Sequence, residues 1–109
     1  MDCIFCKIAN KEIPSEFIYE DENVFAIRDI KPKAEIHILI LPKKHIVSVN
    51  HLDLTDNRII SSLLLAVPKI AEIERLKGYK ISINVGKEGG QLIDHLHFHL
   101  LGGKIGEMP

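Results

Sequence analysis

The sequence predicts an α+β fold: a five-stranded, mainly antiparallel sheet carrying one long and one short helix. Three observations predict it. One stretch, roughly 56–76, spaces its apolar residues three and four apart, the period of a helix facing a core. Five shorter segments rich in Ile, Leu, Val and Phe run or alternate as strands do, with Asp, Asn, Gly and Pro between them. The order is helix, two or three strands, long helix, two strands, which suits a mainly antiparallel sheet.

Taken in order, Ile4, Phe5, Ile8 and Ala9 have helical spacing, so residues 3–10 read as a short amphipathic helix that Pro14 and Ser15 interrupt. Phe17–Glu20 reads as a strand. Asp21-Glu22-Asn23 is turn chemistry, and Val24–Asp29 resumes as the second arm of a hairpin. Glu35–Leu41 is a buried strand closed by Pro42. Thr55 is placed to cap the long helix, whose Ile59, Ile60, Leu63, Leu64, Val67, Ile70, Ala71 and Ile73 form the apolar stripe. Pro68 falls inside this run and predicts a kink, at a cost of about 3 kcal/mol if uncompensated. Gly78 is a stop signal. Tyr79–Val85 is a strand, Gly86–Gly90 a flexible connection, and residues 93–101 a final strand before Gly102-Gly103. The last six residues read as a loose tail.

The chain of 109 residues suits a single domain spanning 1–109. A net charge of −1 without a long basic run argues against nucleic acid as a partner. No run of 18 apolar residues and no signal-peptide pattern occur, so the expectation is a cytoplasmic protein with no membrane partner. Cys3 and Cys6, the only two cysteines, read as a metal half-site or a redox pair before a structural disulfide.

The chemistry concentrates in Asp94-His95-Leu96-His97-Phe98-His99-Leu100-Leu101. On a strand, alternate positions share one face, so the three imidazoles would stand about 6.6 Å apart. Such a row is consistent with a polar strand edge, with metal binding, or with nucleophilic catalysis by a neutral imidazole on phosphorus. The outer two lie roughly 13 Å apart at the backbone, too far to close on one ion without strong bending. Nearby are Gly89-Gly90-Gln91, whose glycines allow close approach to phosphate oxygens, His37 in another strand, and Asn84 at a strand end.

On these residues the chain resembles the histidine triad (HIT) family, on its Hint-like, bacterial zinc-binding branch. His95-Leu96-His97-Phe98-His99-Leu100-Leu101 meets the signature His-φ-His-φ-His-φ-φ, with φ apolar. Cys3-Ile4-Phe5-Cys6-Lys7-Ile8, Glu12–Ser15, Asp29-Ile30, His37 through His45, Asn84, Gly89-Gly90-Gln91 and Leu101-Gly102-Gly103 follow in the family's order.

The resemblance implies an enzyme that cleaves a substituent from the α-phosphate of a purine nucleoside monophosphate derivative, in phosphoramidase fashion, through a nucleotidyl-histidine intermediate. His97 matches the nucleophile, with its other ring nitrogen expected to donate to a backbone carbonyl. His99 matches the group facing the phosphate and leaving group, and His37 and Asn84 complete the catalytic set. Asp29 matches the ribose ligand. Ile30, Phe5, Ile8, Ile13 and Leu39 match the base lining, and Gly90 and Gln91 the phosphate loop. Cys3, Cys6, His45 and His95 match ligands of a structural zinc, and no metal is required for the chemistry. A homodimer is implied, its sheet continued across a twofold axis through the strand 79–85 and the long helix. One departure stands out: Leu92 occupies a position where many Hint-like members carry a serine or threonine. The chain also lacks the tryptophan that some relatives carry near the C-terminus. Hydrolysis of dinucleoside polyphosphates, as in the Fhit branch, and nucleotide binding with little turnover are the alternative expectations.

Overall fold

The computed structural model describes residues 2–105. A short helix α1 (Ile4–Ala9) is followed by β1 (Tyr19–Glu20), β2 (Val24–Arg28), β3 (Ile36–Pro42), the long helix α2 (Asn57–Ile73), β4 (Tyr79–Ile83) and β5 (Phe98–Gly102). The five strands form one sheet in the order β1-β2-β3-β5-β4, every neighbour antiparallel. Among the described residues no helix is long and apolar enough to cross a membrane.

The apolar run of β3 has a physical reason: both faces of the sheet are covered. Ile38 and Ile40 of β3, with Val24, Ala26, Phe98 and Leu100, pack against Leu63, Ala66, Val67 and Ile70 of α2. On the opposite face, Leu39 and Leu41 join Phe25, Ile27 and the α1 residues Phe5 and Ile8. Register places Leu39 opposite His99 and His37 opposite Leu101, so His37 and His99 belong to the α1 face. Six residues of helix cannot cover that whole face.

Three expectations are corrected. Residues 93–97 are not strand: of the three histidines only His99 lies in β5. The His95 N–H turns back to the Ile93 carbonyl and the Leu96 N–H goes to the Ile46 carbonyl, so neither donor is left for a sheet ladder. The alternation still marked burial, since Leu96, Phe98 and Leu100 share one core. Thr55 does not cap α2. It lies in a single 3₁₀ turn (Leu54–Asp56) closed by a capping box between Asp53 and Asp56, and α2 starts after it. The long helix ends at Ile73 rather than near residue 76, because Arg75 takes a left-handed φ of 59° and the Leu76 N–H returns to the Ala71 carbonyl. Pro68 lies within α2 without breaking it. Pro68 and Leu64 are both exposed, on the solvent side of the helix. Of the predicted tail, residues 106–109 lie outside the described residues.

Candidate functional site

Two clusters of side chains meet where β5 leaves its preceding loop. In the first, His97 donates from Nδ1 to the backbone carbonyl of His95 at 2.7 Å. A carbonyl only accepts, so the neutral ring keeps its proton on Nδ1 and presents an unprotonated Nε2. This is the hydrogen bond expected of an imidazole that attacks through Nε2.

His37 and His99 are locked in the opposite sense. The backbone N–H of Lys33 donates to His37 Nδ1 at 2.9 Å. The His37 proton therefore sits on Nε2, which lies 2.9 Å from His99 Nδ1 and donates to it. That leaves the His99 proton on its own Nε2, available as a donor. Asp29 Oδ2 lies 3.5 Å from His37 Nε2, while Asp29 Oδ1 accepts the Lys31 N–H at 2.8 Å. The His97 and His99 rings are 4.9 Å apart by centroid. The same row of imidazoles thus presents a lone pair at His97 and a proton at His99. No pattern in the sequence signals Lys33, because the group at work is a backbone amide that any residue but proline carries.

Burial, with His97 and His37 close by, pushes His99 down to about 4, and burial lowers His37 in the same direction. Unfolded, both titrate near 6.5. Between the folded and unfolded values the unfolded chain binds the extra protons, so stability is fully present above pH of about 6.5 and is lost as pH falls toward the folded values. The thermal midpoint should therefore be lower at pH 5 than at pH 7.5, and His99→Gln, which cannot titrate, should shrink the difference. A midpoint that holds steady or rises on acidification would contradict the neutral pair.

The second cluster joins the N-terminus to the sheet. Cys3 Sγ lies 3.4 Å and Cys6 Sγ 3.6 Å from His95 Nδ1, and Cys6 Sγ lies 3.2 Å from His45 Nδ1. All four ligand atoms lie within 4.8 Å of one another. His95 is fully buried and donates its Nε2 proton to the Pro42 carbonyl at 2.8 Å, which turns the Nδ1 lone pair toward the sulfurs. Metal-bound imidazoles are oriented in this way by an outer partner. Two thiols and two imidazoles are the donor set of a closed tetrahedral zinc site. Without a cation, burial and the neighbouring Cys3 push the Cys6 thiol up to about 11. Asp29, His37 and His99 also converge within 4.8 Å. There the Lys33 amide keeps the proton on His37 Nε2, and hydrogen bonds fill the place a cation would take.

The remaining candidates divide. Phe5 and Ile8 are buried in the α1 core, and Phe5 stands edge-on to both His95 and His97, with centroids 5.8 and 5.3 Å away. Leu39 is buried with them and Ile13 packs alongside. Ile30 is 92% exposed and joins neither core. Asn84 directly follows β4 and donates to the Gly89 carbonyl at 2.8 Å. Gly90 needs its freedom: its φ is 87°, and a Cβ would stand 3.3 Å from Asn84 Nδ2. Gln91 is buried and ties three loops together. Its amide nitrogen donates to the Val47 and Ile93 carbonyls at 2.6 and 3.0 Å, and its oxygen accepts the Gly86 N–H at 2.9 Å. Both amide protons are used, so the Gln91 side chain cannot supply the donor that Leu92 lacks. Leu92 itself is 94% exposed.

Comparison with known proteins places the chain in a family. The model of the family described as HIT domain matches residues 10–106. A crystal structure of a HIT family hydrolase from Legionella pneumophila Philadelphia 1 superposes with a TM-score of 0.90 at 45% identity, covering 94% of each chain. A histidine triad nucleotide-binding protein from Candida albicans gives a TM-score of 0.84 at 32% identity, over 99% of this chain and 84% of that one. A zinc-bound histidine triad family protein from Mycobacterium smegmatis gives 0.84 at 32% identity, over 98% of this chain and 78% of that one.

Proposed function

The chain belongs to the HIT family, and on that premise we propose that it is a nucleotide hydrolase or transferase working through a nucleotidyl-histidine intermediate on His97. The substrate class is a purine nucleoside monophosphate whose α-phosphate carries a second substituent, cleaved in phosphoramidase fashion. The observation that carries this reading is the opposed tautomers of His97 and His99. Nucleophile and hydrogen-bond donor stand side by side on rigid backbone, each fixed by a main-chain group.

In this mechanism Asp29 accepts from the ribose hydroxyls, and the exposed Ile30 side chain folds over the base beside Phe5 and Ile8. His97 Nε2 attacks phosphorus. The nitrogen–phosphorus bond forms and the bond to the substituent breaks, its electron pair leaving with the substituent. His99 Nε2–H donates to the phosphate oxygen or leaving atom. Backbone N–H groups near Gly90, in the loop that Asn84 and Gln91 brace, stabilise the developing charge. Water then displaces the histidine. The split into two displacements is what covalent catalysis contributes. The second site fits zinc, and Cys3, Cys6, His45 and His95 would hold it. Its contribution when bound is structural, pinning α1 to the sheet away from the reacting phosphorus.

Leu92 and the occupied Gln91 amide bring a second reading forward. With neither Leu92 nor the Gln91 amide offering a donor next to His99, dinucleoside polyphosphates are a competing class of substrate. A panel of adenosine compounds with one nucleotide and varied leaving groups tests this: phosphoramidate, acyl phosphate, and diadenosine tri- and tetraphosphate. We expect turnover of the phosphoramidate with release of AMP. Faster turnover of the polyphosphates would favour the second reading. Binding of AMP without turnover of any member would reduce the protein to a nucleotide-binding module.

A homodimer joined along β4 belongs to the same proposal. β4 is the last strand of the sheet order, with Tyr79 and Ile83 partly exposed on it. Unpaired strand edges of this kind invite pairing with another chain. Sedimentation giving the mass of one chain would remove this part.

A further inference from the structure

We propose that Cys3 and Cys6 are a modification site: a hydroperoxide converts the pair to a disulfide, which expels the zinc and loosens the helix that braces His97. The inference rests on the zinc reading of the Cys3, Cys6, His45 and His95 cluster and goes beyond it.

Three observations converge. First, the two sulfurs are near neighbours, within 4.8 Å of each other. Cys3 is the N-cap of α1 and Cys6 lies in its first turn, with the Cys6 N–H pointing at Cys3 Sγ at 3.4 Å. Second, the site is not sealed. Cys3 and His45 form part of the wall of an open cleft of about 560 Å³ between the start of α1 and the segment Leu92-Ile93-Asp94. Cys6 is partly exposed and Cys3 borders the cleft, which gives a small oxidant a path to the pair, while His95 is fully buried. Third, the same helix touches the reactive cluster. Phe5, between the two cysteines in sequence, stands against the rings of both His95 and His97.

The chemistry balances with a hydroperoxide as oxidant. A metal-held cysteine is a thiolate, the form that attacks peroxide. One sulfur attacks an oxygen, the sulfur–oxygen bond forms, the oxygen–oxygen bond breaks, and an alkoxide or hydroxide leaves. The second thiolate attacks that sulfur. The sulfur–sulfur bond forms and hydroxide leaves. The two sulfurs give up two electrons and the peroxide gains them, with water supplying the protons. A disulfide keeps neither thiolate, so the ion loses two of its four ligands and dissociates.

The test uses zinc-loaded protein titrated with hydrogen peroxide. Metal release is followed with a chromogenic chelator, and the thiols by intact mass and peptide mapping. With only two cysteines in the chain, an intramolecular disulfide has one possible pairing. We expect one zinc released for each Cys3–Cys6 disulfide formed, a mass lower by two hydrogens, and recovery with dithiothreitol plus zinc. Cys6→Ser should form no intramolecular disulfide. Zinc retained and both thiols free at a tenfold molar excess of peroxide overturns the proposal. So does a disulfide that joins two chains. Zinc is quantified before oxidation, so a chain that never held it fails the metal reading and not the test of the thiol pair.

Discussion

His97→Ala should lose turnover by a factor on the order of 10⁴ or more while AMP binding stays within a few-fold of the parent. The two numbers separate because two sets of atoms carry them. In the proposed mechanism bond making rests on the His97 Nε2 lone pair, and removing the nucleophile of a covalent mechanism typically costs several orders of magnitude. In the same proposed mechanism ground-state binding rests on Asp29, the base lining and the Gly90 loop, of which Phe5 touches the His97 ring through one edge contact. The half-buried ring leaves an edge contact to Phe5 and one hydrogen bond to the His95 carbonyl, so the fold should weaken by only about 1–2 kcal/mol. Steady-state rates on the best substrate of the panel, calorimetry with AMP, and a thermal melt check the three parts. Intact mass spectrometry of quenched turnover mixtures adds a direct readout: one nucleoside monophosphoryl group on the parent chain and none on the variant. Free imidazole, small enough to enter the vacated space, should restore a fraction of the rate. Near-normal activity in His97→Ala would remove the mechanism.

Much of this was legible in the chain, for identifiable reasons. The strand cores and the body of α2 followed from apolar spacing, because burial against a core writes its period into the residues. The failures share one cause. Backbone hydrogen bonds leave no mark in side-chain pattern. The alternation around His95 and His97 described which side chains are buried, while the ladder stopped at Phe98 because the Leu96 amide bonds Ile46 and the His95 amide bonds Ile93. The end of α2 depended on a left-handed Arg75, a conformation more usual for glycine, and so Gly78 misled. In the site, the histidines and cysteines announced themselves by residue type. The Lys33 amide and the Pro42 carbonyl, which decide where the protons of His37 and His95 sit, did not. Gln91 was visible, but the loops its side chain ties together were not.

The metal cluster supports the second large effect. Purified without chelator, the protein should carry one zinc per chain. Stripping that zinc should lower the thermal midpoint by on the order of 10 °C or more, at about 4–8 °C for each kcal/mol in a domain of this size. A helix as short as α1 does not persist in water by itself, so its order depends on what docks it. Burial of Phe5 and Ile8 contributes roughly 1.5–3 kcal/mol each, and that gain is realised only while the helix stays seated. The metal-free chain should nevertheless fold. With Cys6 pushed up to about 11, its sulfur stays a neutral thiol and can donate to the His45 Nδ1 lone pair. Cys3 Sγ lies 3.4 Å from His95 Nδ1. The stripped protein should therefore lose hydrogen-exchange protection first in α1, with β3 and β5 still protected. Cys3→Ala combined with Cys6→Ala should show the same pattern and no longer respond to added zinc. Elemental analysis without zinc, together with a melting curve that a chelator does not move, would show that the four side chains hold the N-terminus by hydrogen bonds alone.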